Sequence, residues 1–196
     1  MSDILGKYIA LADWKIASIL MDEYYCTAVA DLETKAIRTV KDNLKEIAAG
    51  EKDACEKLMY ALILSGLAMQ MTGNSRPASG AEHHMVHLWD MEVVNGHLDA
   101  LHGEKVSAAT MLVLLEYKKL ADAIRRGACR VHAFTDGDRE LLQETFGRKG
   151  ILGALEKENT PELLDDVSTE TLSGALPEIL KIIDLLPAVT DMQEMM

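Results

Sequence analysis

Residues 51–71 read EKDACEKLMYALILSGLAMQM, residues 72–80 TGNSRPASG and residues 81–91 AEHHMVHLWDM. The first block is apolar at Leu58, Met59, Leu62, Ile63, Leu64, Leu67, Met69 and Met71, a spacing that predicts a helix apolar on nearly all sides and therefore central in a bundle. The second block is the one long run of turn formers in the first half of the chain. The third opens as a helix should: Ser79 stands three residues before Glu82, the spacing of a capping box. Helix, sharp turn and capped helix, with no β-branched alternation, predict an all-α fold.

The flanking sequence agrees. Ile4, Leu5, Tyr8, Ile9, Leu11, Ala12, Ile16, Ile19 and Leu20 mark a helix over 3–20. Residues 22–49 continue as helix with a break expected near Asp31 and Gly50 as its C-cap. Leu101-His102-Gly103-Glu104-Lys105 opens a helix running to about residue 126. From about Thr135, three or four shorter helices are expected, separated at Gly147, Gly150, Pro161 and Gly174. Pro187 and the Met-rich tail are expected to fray. Trp14 and Trp89 read as packing residues, and Met69, Met71, Met85 and Met91 as plastic core rather than a soft-metal site.

The 196 residues suffice for one helical domain with a real core. Twenty basic against 32 acidic residues leave a net charge of −12, which excludes a nucleic-acid binder and docking on anionic lipid. No run approaches a membrane span of about 20 apolar residues. Cys26, Cys55 and Cys129 cannot all pair and fit no zinc ribbon, so they read as reduced thiols of a cytoplasmic protein.

Four of six histidines, His83, His84, His87 and His102, fall within twenty positions. His83 and His87 share a helix face, His84 points elsewhere, and His102 opens the next helix. Imidazoles from two antiparallel helices can converge on a divalent metal, with a carboxylate completing the set. The spacing does not say which carboxylate, and an i,i+4 histidine pair alone is commonly surface or core decoration. Arg76 lies in a Gly- and Ser-rich loop before a helix N-terminus, a place that favours phosphate; the plainer reading pairs it with a surface carboxylate.

The run Gly73-Asn74-Ser75-Arg76-Pro77-Ala78-Ser79-Gly80-Ala81-Glu82-His83-His84, with Leu101-His102-Gly103-Glu104-Lys105-Val106 after it and Asp3-Ile4-Leu5-Gly6-Lys7-Tyr8 before it, resembles the sn-glycerol-1-phosphate dehydrogenases. These form a branch of the iron-containing alcohol dehydrogenase superfamily, with dehydroquinate synthase a distant relative. The resemblance covers about 105 residues; the last 70 or so carry no motif. It implies Asp3, His83 and His102 as ligands of one divalent metal (zinc, iron or nickel), with His84 the alternative to His83, because glycerol dehydrogenases space their motif histidines three apart, as His84 and His87 are. It implies His87 as the catalytic residue beside substrate, and dihydroxyacetone phosphate or another small phosphorylated polyol or ketone as substrate; with Asp3 and His87, Arg76 by its loop and Lys7 by its place one turn after Asp3 complete the candidate substrate-binding residues. Lys7 can reach substrate or simply pair with Asp3.

The family's cofactor is NAD(P), held by a separate N-terminal dinucleotide-binding domain. No Gly-x-Gly-x-x-Gly and no strand–helix alternation occurs here. The expectation is a single helical metal- and substrate-binding domain over 1–196, resembling the C-terminal domain of the family, inactive alone and working with a missing N-terminal domain or as a homo-oligomer. Two other readings stand beside it: a non-catalytic assembly or regulatory module that keeps the metal site, and half of a glycerol dehydrogenase or dehydroquinate synthase-like enzyme. The Arg76-Pro77-Ala78-Ser79-Gly80 run favours the glycerol-phosphate branch.

Overall fold

The computed structural model describes residues 1–92, 96–130, 136–147, 150, 152–153 and 168–196. Among them there is no strand, and the helices are α1 (Ser2–Leu20), α2 (Thr27–Lys41), α3 (Leu44–Ala48), α4 (Lys52–Thr72), α5 (Ala81–Asp90), α6 (His102–Arg125), α7 (Asp136–Phe146), α8 (Thr169–Ile183) and α9 (Val189–Met195). The expected boundaries at Thr135 and Pro161 lie outside the described residues. Among the described residues, no helix is long and apolar enough to cross a membrane.

The central helix is α1, not α4 as the apolar run over 51–71 predicts. Ile4, Leu5, Ile9, Ala10 and Trp14 are fully buried, and α1 packs against α2, α5, α6 and α8. The main core joins Ile4, Leu5 and Ile9 to Ala36, Ile37 and Val40 of α2, Ala61 of α4, Val113 and Leu114 of α6, and Met192 and Met195 of α9. The face that α4 buries is small: Ala54, Ala61, Ser65 and Ala68. Small residues let α4 lie close along α2, and that choice of face turns Met59, Ile63, Leu67 and Met71 outward. The list of apolar positions along 51–71 therefore misplaces α4, because its contact with α2 is made through the small residues of one face rather than the bulky ones.

Residues 22–49 are not one helix broken near Asp31. Asp31 is inside α2, and the chain instead breaks before it and at Asp42–Asn43. The extended stretch before α2 is pinned where Trp14 Nε1 donates to the Tyr24 carbonyl at 2.8 Å and the Tyr25 ring rests 4.5 Å from the Trp14 indole. Gly50 takes a left-handed conformation after α3, at φ 73°. Gly174 does not separate helices: α8 runs through it and through Pro177, carried by buried Ile179 and Ile183 and capped where Ser168 Oγ accepts from the Thr171 N–H. The tail does not fray either. Met192 and Met195, an i,i+3 pair, are buried in the main core. Met71 and Met91 are exposed, so the methionine stripe is core only in part.

Candidate metal centre

Three helices deliver the site. Asp3 lies in the first turn of α1, His83 in the first turn of α5, and His102 is the first residue of α6. The α1–α6 and α1–α5 approaches are set by two glycines. A Cβ on Gly6 would stand 2.9 Å from Val106 Cγ1 and 3.2 Å from Thr110 Oγ1. A Cβ on Gly80 would stand 2.8 Å from the Ala10 Cα.

The entry to α5 is held by carboxylates rather than by Ser79. The N-cap is Gly80, and Asp13 Oδ2, reaching across from α1, accepts the Ala81 N–H at 2.7 Å. Its other oxygen accepts the Tyr117 hydroxyl of α6. Burial, only partly offset by these bonds, pushes the Asp13 carboxyl up, and burial together with the Asp13 charge keeps the Tyr117 phenol protonated. Glu82, expected as the acidic half of a capping box, keeps part of that role. Its Oε1 accepts the Gly80 N–H at 3.2 Å and meets His83 Nδ1 at 2.7 Å. At α6, Glu104 returns to the Leu101 N–H at 2.7 Å, so the His102 turn is capped from within.

Asp3, His83 and His102 come together: one ligand atom from each lies within 4.8 Å of the others. Asp3 Oδ1 is 3.1 Å from His83 Nε2 and 3.7 Å from His102 Nε2. The rings of His83 and His102 are 5.6 Å apart. Behind them stand carboxylates: Glu82 on His83 Nδ1, and Asp90 3.7 Å from His102 Nδ1 while accepting Lys105 Nζ at 2.6 Å. Lys7, almost wholly buried, bridges Asp3 Oδ2 and the Ala78 carbonyl, each at 3.3 Å.

The donor chemistry fits a divalent cation. With Nδ1–H given to Glu82, the His83 Nε2 lone pair points at an Asp3 oxygen that His102 Nε2 also faces. Three electron-rich atoms converging on one point require a proton or a cation between them. Without metal the proton takes that place. Burial pulls the His83 pKa down, but hydrogen bonds to Asp3 and Glu82 outweigh it and raise it to about 9. Burial likewise opposes the Asp3 charge, yet the His83 bond and the Lys7 charge hold its carboxyl well below the usual range. Imidazole, imidazole and carboxylate with a carboxylate behind the ring is the pattern of an open transition-metal site.

The remaining expected residues divide. His87 lines a cleft of about 320 Å³ with Asp3, Lys7, His83, Ser75 and Ser79, its ring 6.5 Å from that of His83. His84 is exposed and outside the cluster. Arg76 is not among the residues lining the cleft; its Nε donates to Glu23 at 2.8 Å. Glu82, Asp90 and Asp13 are the supporting groups that sequence reasoning passed over as site residues. Adjacency in the chain marks Glu82, but nothing local in the sequence marks the other two.

No protein-family model matches the chain. Among curated proteins, glycerol-1-phosphate dehydrogenase [NAD(P)+] of Bacillus velezensis is 34% identical over 199 residues, which take in 98% of this chain and 49% of that protein. The enzyme of the same name from Halalkalibacterium halodurans is 44% identical over 120 residues, 61% of this chain and 30% of that protein. That of Pyrococcus horikoshii is 34% identical over 151 residues, 74% of this chain and 43% of its own length. The chain spans half or less of the length of these relatives, and it belongs to the glycerol-1-phosphate dehydrogenase family.

Proposed function

We propose that this chain is the helical, metal- and substrate-binding part of an NAD(P)-dependent sn-glycerol-1-phosphate dehydrogenase, interconverting dihydroxyacetone phosphate and glycerol 1-phosphate in the cytoplasm together with a nucleotide-binding part. The observation that supports it most is the convergence of Asp3 Oδ1, His83 Nε2 and His102 Nε2, two of whose residues, Asp3 and His83, line a cleft with Lys7 and His87. Zinc, iron or nickel held there supplies Lewis acidity toward the substrate carbonyl, and the nicotinamide supplies or accepts the hydride.

The chain's own residues then have distinct work. Glu82 fixes the His83 tautomer so that Nε2 faces the ligand position. Asp3 contributes a carboxylate that Lys7 holds in place. His87 faces the cleft one turn along α5 from His83, where it orients a substrate hydroxyl or holds the proton that the alcohol gives up. Lys7 is the cation lining the cleft; Arg76 serves as a phosphate contact at its margin only by exchanging Glu23 for phosphate.

The test is metal stoichiometry followed by ligand titration. Protein purified without chelator should carry one zinc, iron or nickel ion. Asp3→Ala, His83→Ala and His102→Ala should lose it, and His84→Ala should keep it. Dihydroxyacetone phosphate should bind the metal-loaded protein and not the chelated one. Absence of stoichiometric metal, or loss of metal in His84→Ala alone, overturns the assignment.

A further inference from the structure

Two buried polar side chains, Ser65 in the cleft lining and Glu33 close to it, have no part in the reading above. Ser65 of α4 is 3% exposed and lines the cleft beside Gly66, where a Cβ would meet only open space. Its hydroxyl has no hydrogen-bond partner. A serine or threonine inside a helix commonly donates to the carbonyl one turn back, as Thr34, Thr39 and Thr72 do here. Ser65 does not, so its Oγ is free for something in the cleft. Glu33 of α2 is fully buried and both its carboxylate oxygens lack partners. Burial pushes its carboxyl up; nearby Ser65 and Lys7 partly offset this.

A buried polar group without a partner is costly, so an unpartnered serine hydroxyl in the cleft lining, close to a buried glutamate, calls for a ligand group that satisfies it. The ligand group is constrained by charge. The Glu33 carboxyl close to Ser65 offers a phosphate no positive charge and, where ionised, repels it. A neutral hydroxyl fits: it donates to Ser65 Oγ or accepts its proton.

Resting on the reading of the cleft as a polyol-phosphate site, we propose that Ser65, with Glu33 positioning it, is a specificity-determining contact for the terminal, non-reacting hydroxyl of the substrate. The metal cluster takes the reacting oxygen, and the Ser65 corner selects ligands that carry a second free hydroxyl.

The experiment is calorimetric titration of the zinc-loaded full chain with sn-glycerol 1-phosphate and with propane-1,2-diol 1-phosphate, which lacks only the terminal hydroxyl. Wild type should bind the first about tenfold or more tightly. Ser65→Ala should weaken sn-glycerol 1-phosphate to the level of the deoxy compound, leaving the deoxy affinity and zinc stoichiometry unchanged. The nearly isosteric Glu33→Gln should move the same ligand in the same direction by a smaller factor. Equal weakening of both ligands in Ser65→Ala, no weakening of either, or no discrimination by wild type overturns the proposal, because the corner then holds water or serves the fold. Failure of wild type to bind zinc, or to bind either phosphate ester, overturns the cleft reading itself and this proposal with it.

Discussion

Asp3 is the residue on which the site's electrostatics turn, since one of its oxygens faces two imidazoles and the other faces Lys7. The consequence for stability has a definite sign. His83 titrates near 9 in the folded metal-free protein against 6.5 for a free imidazole, so its contribution is complete below pH 6.5 and is lost as pH rises through 9. Asp3 titrates below its ordinary 3.8, so its contribution is complete above that value and is lost as pH falls beneath it. Urea unfolding of chelator-treated protein should show stability falling between pH 6.5 and 9, and His83→Gln should flatten that slope. Zinc affinity should run the other way, rising over the same interval as the proton it displaces is held less tightly. Glu82→Gln, which leaves every ligand in place, should reduce zinc affinity about 10–100-fold by loosening the His83 tautomer. The convergence of Asp3, His83 and His102 was anticipated by the family resemblance, through Asp3, the Glu82-His83 pair and the Leu101-His102-Gly103-Glu104 run, whereas spacing alone named no carboxylate. Spacing alone left His83 and His84 open, because both lie within one helical turn; only the rotation of α5 turns one inward and the other to solvent.

That rotation belongs to the element. The first turn of α5 is held at one end by the Asp13 carboxylate and at its back by the absence of a side chain on Gly80. The sequence pointed correctly to a helix start here and to Glu82 as a returning carboxylate, but it assigned the cap to Ser79. The residue that does most of that work is Asp13, on another helix, and no local pattern links positions 68 residues apart. Gly80→Ala is the sharpest probe. The added methyl would meet the backbone of Ala10, which cannot swing away as a flexible side chain would. Overpacking of this kind costs about 1–3 kcal/mol. For a chain of this size that lowers Tm by about 2–4 °C per kcal/mol. The same displacement moves His83 away from Asp3, so zinc affinity should fall in a variant whose ligands are all intact. Asp13→Asn should give a smaller loss of stability, since an amide oxygen can still accept from Ala81 while its uncharged acceptor binds the Tyr117 hydroxyl less strongly. Thermal unfolding and zinc titration of the two variants check both statements.

Across the whole molecule, where a helix sits depends on which face it buries and not only on how many apolar residues it carries. α1 became the centre because it buries Ile4, Leu5, Ile9 and Trp14 while Gly6 and Ala10 let neighbours approach. α4, no more apolar on average than α1, sits at the edge on its alanines. A composition reading sees the apolar count but not which face will be chosen, and it sees a short Met-rich tail but not the socket waiting for it. The edge position gives a contrast within one helix turn: Ile63→Gln should change stability by no more than about 0.5 kcal/mol, and Ala61→Leu should cost about 1–3 kcal/mol. The tail gives the larger effect. Met192 is fully buried in the cluster that holds Ile4 and Leu5, the two residues that follow Asp3. Ser107 Oγ of α6, 3.1 Å from Met196 Sδ, fixes the last residue beside it. Met192→Ala should therefore cost about 2–5 kcal/mol, the range for removing a large apolar side chain from a core. Because the cavity opens under the first turn of α1, Asp3 loses its support, and zinc affinity should fall although α9 contributes no ligand. Met192→Leu, close in volume, should restore both stability and zinc affinity, and if it restores stability alone then the tail supports the core but not the metal site.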